Sequence, residues 1–95
     1  MQWIEIINLR TIEHGLENLV RDFIRPITEH AEDEGLTGTT IYYHAALETD
    51  LSIHLCWKTN PSDRYKTSLG LRLVDTLENF GLTCHSAWVA SDTNH

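Results

Sequence analysis

Residues 39–58, TTIYYHAALETDLSIHLCWK, decide the fold, because two strand-like runs stand on either side of a short polar break. In residues 51–58 every second side chain is apolar, which is typical of a strand with one buried face. Residues 39–47 form the partner strand of a predicted hairpin, and residues 48–50 form its short connection. The chain therefore contains at least one antiparallel pair of strands.

The register of this hairpin follows from keeping apolar side chains on one side, because a slip by one residue would mix the two faces. The helix-facing pairs are then Leu47 with Leu51, Ala45 with Ile53, Tyr43 with Leu55, and Ile41 with Trp57. The pairs on the other face are Ala46 with Ser52, His44 with His54, and Tyr42 with Cys56. That second face carries no formal charge before Lys58.

Four further elements flank the hairpin. Residues 2–9 and 82–90 are predicted strands, and residues 13–34 and 67–80 are predicted helices with apolar stripes. The resulting order, β-α-β-β-α-β, predicts a ferredoxin-like α+β fold with an antiparallel sheet. Two right-handed crossovers put the first and third strands at its centre. We expect one domain over residues 1–95, with a frayed tail at residues 91–95.

Three residues set the predicted limits of the first helix. Thr11 is the expected N-cap and Gly35 the expected end, with Gly38 in the following loop. Pro26 lies inside the apolar stripe and removes one backbone donor, so we expect it to kink or split the helix.

The sheet face away from the helices predicts the assembly. In a two-layer domain this face is bare, and here it carries tyrosine, histidine, alanine, serine and cysteine rather than the lysine, glutamate and threonine of a hydrated face. A second copy packed sheet to sheet is the economical cover for a small chain, so we expect a homodimer. A small-molecule ligand or another protein is the alternative cover.

The segments QWIEIINL, TDLSIHLCW and GLTCHSAWV, with the element order over residues 2–90, resemble the dimeric α+β barrel superfamily. That superfamily includes the antibiotic-biosynthesis-monooxygenase-like domains. The resemblance is architectural and implies a dimeric α+β barrel. It also implies cofactor-independent monooxygenases, haem-degrading enzymes and small proteins without known activity as relatives. No catalytic signature is carried over residue by residue.

Composition excludes several classes of protein. The 95 residues contain 14 acidic and 7 basic side chains, for a net charge of −7, which argues against general nucleic-acid binding. No run is long enough to predict a membrane span, and no secretory signal is visible at the start. The two cysteines, Cys56 and Cys84, do not form a disulfide framework, so we expect a cytoplasmic protein.

The histidines raise the question of a metal site. His44 and His54, as predicted cross-strand partners, would lie ~5 Å apart at their Cβ atoms. His85 would lie ~10 Å away because one strand intervenes. Two histidines without a third ligand do not make a metal site, so neither a metal nor another cofactor is predicted. The alternative is a hydrogen-bonded pair in a subunit interface.

Two further groups of residues are candidates for binding. The first would line a ligand pocket and comprises Asn8, Tyr42, His44, His54, Trp57, His85 and Trp88. The second precedes and begins the second helix, where a helix N-terminus and bases could hold an anion, and comprises Arg64, Lys66 and Ser68. For this second group the alternative is that Thr67 or Ser68 simply caps the helix.

The sequence therefore favours a small-molecule-binding or non-catalytic homodimer. The alternative is a cofactor-independent monooxygenase-like enzyme that acts on an aromatic or electron-rich small molecule. A large cavity between sheet and helices, lined by Asn8, His44, His54 and a tryptophan, would favour the enzyme. A solid core would favour the binding or structural function.

Overall fold

The computed structural model describes residues 2–12, 15–59 and 66–91. In chain order the elements are β1 (Trp3–Thr11), α1 (Leu16–Leu19), a π-helical turn (Val20–Ile24), α2 (Arg25–Thr28), β2 (Leu36–Tyr43), β3 (Asp50–Trp57), α3 (Ser68–Leu77) and β4 (Gly81–Val89). The predicted order and the ferredoxin-like α+β class are confirmed. The tail predicted to fray lies outside the described residues from 92 onward.

The strands form one antiparallel sheet in the order β2-β3-β1-β4, which confirms that the first and third strands are central. The helical segments cover one face of this sheet. Between sheet and helices lies the core, formed by Trp3, Ile7, Leu9, Leu16, Val20, Ile24, Leu51, Ile53, Leu55, Trp57, Leu69, Leu73 and Leu77. The other face, called the open face below, carries the alternate side chains of each strand.

The predicted register of the β2–β3 hairpin is wrong by four residues. Thr40 lies opposite His54, at the position assigned to His44, and Tyr43 lies opposite Leu51. The shift is even, so the residues that remain in the strand, Ile41, Tyr42 and Tyr43, keep the faces expected for them. The assignment of Ala45, Ala46 and Leu47 to the two faces is wrong, because these residues lie after β2.

The register is wrong because β2 ends four residues earlier than expected. After Tyr43 the chain turns, and the Nδ1 atom of His44 accepts hydrogen bonds from the backbone N–H groups of Ala46 and Leu47, both at 3.0 Å. These bonds fold residues 44–47 into a compact turn and remove them from the strand. The connection is consequently longer than the three residues expected.

Pro26 interrupts the first helix as expected, and it does so by widening it. Pro26 has no N–H to donate to the carbonyl of Asp22, and its ring crowds that carbonyl. The N–H of Arg25 bonds instead to the carbonyl of Val20, five residues back, which produces the π-helical turn. Phe23 is consequently 44% exposed rather than part of the buried stripe.

The predicted limits of the first helix are wrong at both ends. Thr11 is the last residue of β1 rather than an N-cap, and the helical segments begin after Gly15, whose φ is 80°. They end at Thr28. Gly35, with φ 87°, forms the turn into β2, and Gly38 lies inside that strand rather than in a loop.

Candidate functional site

The open face consists of four cross-strand rows, each with one residue from or next to β2, β3, β1 and β4. The rows are Gly38, Cys56, Ile4 and Trp88; Thr40, His54, Ile6 and Ser86; Tyr42, Ser52, Asn8 and Cys84; and His44, Asp50, Arg10 and Leu82. The first three rows carry no formal charge, as the sequence pattern indicated. The fourth row adds Arg10 and Asp50, which the sequence analysis did not place there.

A groove of about 470 Å³ lies over the last two rows. We call it the open-face groove. It is lined by Asn8, Leu9, Arg10, Tyr42, Tyr43, His44, Asp50, Leu51, Ser52, Leu82, Thr83 and Cys84. Its volume falls within the range of about 300–1,000 Å³ that is usual for small-molecule sites.

An ion pair forms one part of the groove. The Nε atom of Arg10 donates to Oδ2 of Asp50 at 3.0 Å, and Oγ1 of Thr49 donates to Oδ1 of the same carboxylate at 3.0 Å. Burial would raise the pKa of the Asp50 carboxyl, but the hydrogen bonds from Arg10 and Thr49 outweigh it and hold that pKa below its usual value. Asp50 is therefore an anion at neutral pH, and it orients the arginine beside it.

His44 lies next to this pair. Its backbone N–H donates to the carbonyl oxygen of Asp50 at 3.0 Å, so the residue continues the hairpin pairing by one position. Whereas its backbone N–H is a donor, its ring is an acceptor, because Nδ1 accepts hydrogen bonds from two backbone N–H groups. In a neutral imidazole the other nitrogen then carries the hydrogen, so Nε2–H is the donor.

His54 and Tyr42 form a separate contact on the open face. Their rings lie 4.6 Å apart between centroids, and Nε2 of His54 is 3.1 Å from Oγ of Ser52. His44 and His54 are therefore not the cross-strand partners that the predicted register required. No group of three or more histidine, cysteine, aspartate or glutamate side chains in the described parts of the chain is arranged to hold a metal ion.

Trp88 lies at the far end of the open face from the groove. It is 58% exposed, and its Nε1 donates to Oγ of Ser86 at 2.9 Å. Of the seven pocket candidates, the structure thus brings Asn8, Tyr42 and His44 together in the groove. His54 lies in the neighbouring row, and the remaining two lie on the opposite face.

The two remaining candidates, Trp57 and His85, lie under the helices and converge on Glu5. Glu5 is fully buried and was not among the residues predicted to form a site. Its Oε1 accepts from Nε1 of Trp57 at 3.1 Å and from Oγ1 of Thr67 at 2.6 Å. Its Oε2 accepts from the backbone N–H of Thr67 at 3.2 Å and from Nε2 of His85 at 2.5 Å.

Helix α3 is packed against this carboxylate. Thr67 is the N-cap of α3, and its Oγ1 accepts from the N–H of Gly70 at 2.9 Å. A Cβ atom at Gly70 would lie 2.0 Å from Oε2 of Glu5, so only glycine allows this close approach. The side-chain carboxyl group of Glu5 thus lies at the N-terminal, positive end of the α3 dipole.

A signal for Glu5 was present in the sequence. In residues 3–9 the positions of Trp3, Glu5, Ile7 and Leu9 have strand periodicity, and three of the four are apolar. A charged residue at an inward position of a central strand must find internal partners, because burial of an unpaired charge is costly. Its partners Thr67 and His85 come from distant parts of the chain, so their identity was not accessible from local pattern.

The anion-binding candidates are only partly within the described residues. Arg64 lies outside them, Lys66 is exposed, and Ser68 is the exposed first residue of α3. Thr67 caps the helix, which agrees with the alternative stated for this segment. A cleft of about 330 Å³ lies beside it, lined by Trp3, Asp33, Glu34, Trp57, Thr59, Lys66, Thr67 and Ser68.

Comparison with known proteins identifies the fold. No protein-family model and no curated protein matches the chain. Among solved structures, it is similar to a Nitrosomonas europaea protein provisionally assigned as an antibiotic biosynthesis monooxygenase, with a TM-score of 0.68, 14% identity, and coverage of 99% of this chain and 94% of that one.

Two further structures have similar folds. SnoaB from Streptomyces nogalater, described as a cofactor-independent oxygenase, has a TM-score of 0.66 and 15% identity, with coverage of 98% of this chain and 97% of that one. Rv0793 from Mycobacterium tuberculosis has a TM-score of 0.65 and 12% identity, with both chains covered over 100%. The structural neighbours are therefore antibiotic-biosynthesis-monooxygenase-like proteins, which confirms the predicted resemblance at the level of the fold. Among the described helices, none has the length and apolar character to cross a bilayer.

Proposed function

We propose that this chain is a homodimeric small-molecule-binding protein whose ligand occupies the open-face groove. The observation that carries the proposal is the groove itself, which combines a volume of about 470 Å³ with aromatic and polar side chains from all four strands. Ligand sites typically have this character: a concave, largely preformed surface with a few oriented polar groups. No reaction is required for this function.

The homodimer part of the proposal rests on the remainder of the open face. Trp88 is 58% exposed on it, and the half-buried Ile4 and Ile6 lie beside it on β1. Large apolar side chains with this exposure, grouped on one charge-poor face, are typical of an interaction surface. A second copy packed face to face would bury them.

A ligand screen by ¹H–¹⁵N NMR on the full chain tests the binding function. We expect fragment-sized ligands to shift backbone signals of groove residues such as Asn8 and Cys84, with saturable dependence on concentration. Asn8→Phe should fill the groove and abolish these shifts. Glu78→Phe, which adds the same side chain at an exposed position after α3, should leave them unchanged. A screen in which no fragment shifts the groove signals would overturn the proposal.

Light scattering tests the dimer. We expect twice the chain mass of 10.9 kDa at micromolar concentration. A stable species of the single-chain mass under these conditions would contradict the homodimer.

The second candidate function is a cofactor-independent monooxygenase-like activity on an electron-rich aromatic substrate. It is supported by the fold shared with SnoaB. In such a reaction a substrate CH₂ group becomes a carbonyl by gaining one atom of O₂. The other oxygen atom leaves as water with the two hydrogens, so the substrate supplies all the electrons.

Oxygen uptake separates the second candidate from the first. We expect hydroquinones and hydroxyarenes with activated CH₂ groups to consume one O₂ per product if the chain is an oxygenase. Absence of oxygen uptake above the rate without protein, across the panel, would exclude this candidate and leave ligand binding as the function.

A cytoplasmic location belongs to the same proposal. Cys56 and Cys84 are both free, on strands β3 and β4, and Cys84 is exposed. Exposed thiols persist in reducing compartments. Fractionation of cells that express the protein from its own gene tests this location.

A further inference from the structure

We propose that the open-face groove selects ligands with a carboxylate on a small aromatic ring, and that Arg10 and His44 are the residues that recognise it. This inference rests on the proposed binding function and specifies the chemical class of the ligand. It follows from which hydrogen-bonding groups of the groove are already used within the protein and which are not.

Arg10 presents an oriented set of donors. A guanidinium has five N–H donors in a planar fork. Of the five in Arg10, only Nε–H has a hydrogen-bond partner among the described residues, which is Oδ2 of Asp50 at 3.0 Å. The Arg10 side chain is 66% exposed, whereas that of Asp50 is 15% exposed. Asp50 therefore holds the guanidinium in place and leaves its terminal N–H groups for a planar, two-oxygen partner, which is the geometry of a carboxylate.

His44 presents a second donor of fixed identity. Its Nδ1 accepts from Ala46 and Leu47, both at 3.0 Å, so Nε2 carries the hydrogen of the neutral ring. The ring therefore offers N–H, and not a lone pair, to a ligand in the groove. A ligand atom that accepts hydrogen bonds is favoured, and a ligand atom that only donates is disfavoured.

The charge of the groove agrees with an anionic ligand. The chain as a whole has a net charge of −7, but the described groove residues carry one positive and one negative charge, which are paired with each other. A carboxylate therefore meets less repulsion here than over most of the surface. The free N–H donors of Arg10 and His44 then favour binding of an anion over a cation of the same shape.

Tyr42 supplies the aromatic part of the preference. Its side chain lies on the open face, lines the groove and is 52% exposed. An exposed aromatic ring stacks favourably with a planar ligand. A single substituted ring fits a groove of about 470 Å³ with its carboxylate directed to the Arg10 row.

Three isosteric probes test the ligand class: benzoate, benzamide and benzamidine, which differ in charge but hardly in shape. NMR titration of the dimeric full chain should show that benzoate shifts groove signals and binds at least about tenfold more tightly than the other two, since a hydrogen bond to a charged group contributes roughly that factor or more. Benzamidine binding as tightly as benzoate would overturn the inference.

Matched variants test the two recognising residues. His44→Asn keeps an acceptor near the position of Nδ1 for the turn amides but removes the Nε2–H donor. We expect it to leave the turn signals in place and to weaken benzoate binding about tenfold. Arg10→Lys keeps the charge but not the fork, and we expect a comparable loss. Arg72→Gln removes a positive charge from exposed α3 and should leave benzoate affinity unchanged.

The outcomes also separate this inference from the binding function. If uncharged fragments bind the groove and benzoate does not, the carboxylate preference is wrong while the groove remains a ligand site. If His44→Asn and Arg10→Lys both bind benzoate with the affinity of the wild type, the assignment of the two residues is wrong. If no fragment of any charge binds, the proposed function fails together with the inference.

Discussion

On the helix-covered face the carboxylate of Glu5 is fully buried and accepts four hydrogen bonds. On the open face the carboxylate of Asp50 accepts two hydrogen bonds from described side chains, and its arginine partner remains largely exposed. Both residues are acids in central strands, but only Glu5 has all of its hydrogen-bonding capacity used among the residues that the structure describes. The difference indicates that Glu5 stabilises the fold, whereas the Asp50 row is available to a ligand.

The largest expected loss of stability is that caused by replacing Glu5. Glu5→Ala leaves the buried donors of Trp57, Thr67 and His85 without an acceptor, so we expect the free energy of unfolding to fall by about 3–5 kcal/mol. Urea denaturation measures it. Asp50→Ala, on the open face, should cause a clearly smaller loss. Equal losses at the two positions would mean that the two acids do not differ in role.

The next effect concerns Gly70. Alanine normally favours a helix over glycine by about 1 kcal/mol, but here its Cβ would lie 2.0 Å from Oε2 of Glu5. We therefore expect Gly70→Ala to destabilise the fold by about 1–3 kcal/mol, as overpacking does. The same substitution made together with Glu5→Ala should cost less than it does alone. Denaturation of the four proteins of this double-mutant cycle shows whether the contact is the cause.

A smaller effect is expected for the assembly. Trp88→Lys places a charge on the open face in place of a large apolar side chain, and we expect the dissociation constant of the homodimer to rise at least about tenfold, as for a tryptophan buried in an interface. Leu71→Lys is the matched control, because Leu71 is 49% exposed on α3 and so lies on the helical side. Concentration-dependent light scattering compares the two variants. A response to Leu71→Lys alone would place the interface on the helices.

The smallest expected effect is the pH dependence of the Arg10–Asp50 pair. The folded-state pKa of Asp50 lies below its usual value of about 3.9, so the pair contributes stability above that value and loses it as pH falls through the folded-state pKa. The difference in stability between wild type and Asp50→Asn should therefore be present at pH 7 and disappear in acid. NMR titration of the Asp50 carboxyl in Arg10→Gln should show the pKa moving back up.

The element order and the two faces of the sheet could be predicted from the sequence because period-two alternation is a local property. The register of the hairpin could not, because it depends on how the His44 ring bonds the turn at Ala46 and Leu47. The apolar pattern accepts either register, since the two differ by an even number of residues. The two hydrogen bonds that the His44 ring accepts therefore determine the register, which the apolar pattern does not.

Some residues of the candidate site could likewise be predicted from the sequence, and others could not. Asn8, Tyr42 and His44 could be placed on one face by alternation alone, and the structure brings them to one groove. Arg10 was not considered, because its partner Asp50 had been assigned to the connection rather than to β3. Glu5 was missed because its partners come from three other parts of the chain, and only the tertiary fold brings them together.

The cross-strand rows have a consequence for how the proposed binding groove forms during folding. Each row under the groove takes one residue from each of β3, β1 and β4 and one from or next to β2, and the pair β1–β4 joins the two ends of the described chain. A ribosome-bound nascent chain or a fragment that ends before β4 would therefore possess only part of either row. Ligand affinity would appear only when the last strand docks, so binding would report completion of folding as a single cooperative event.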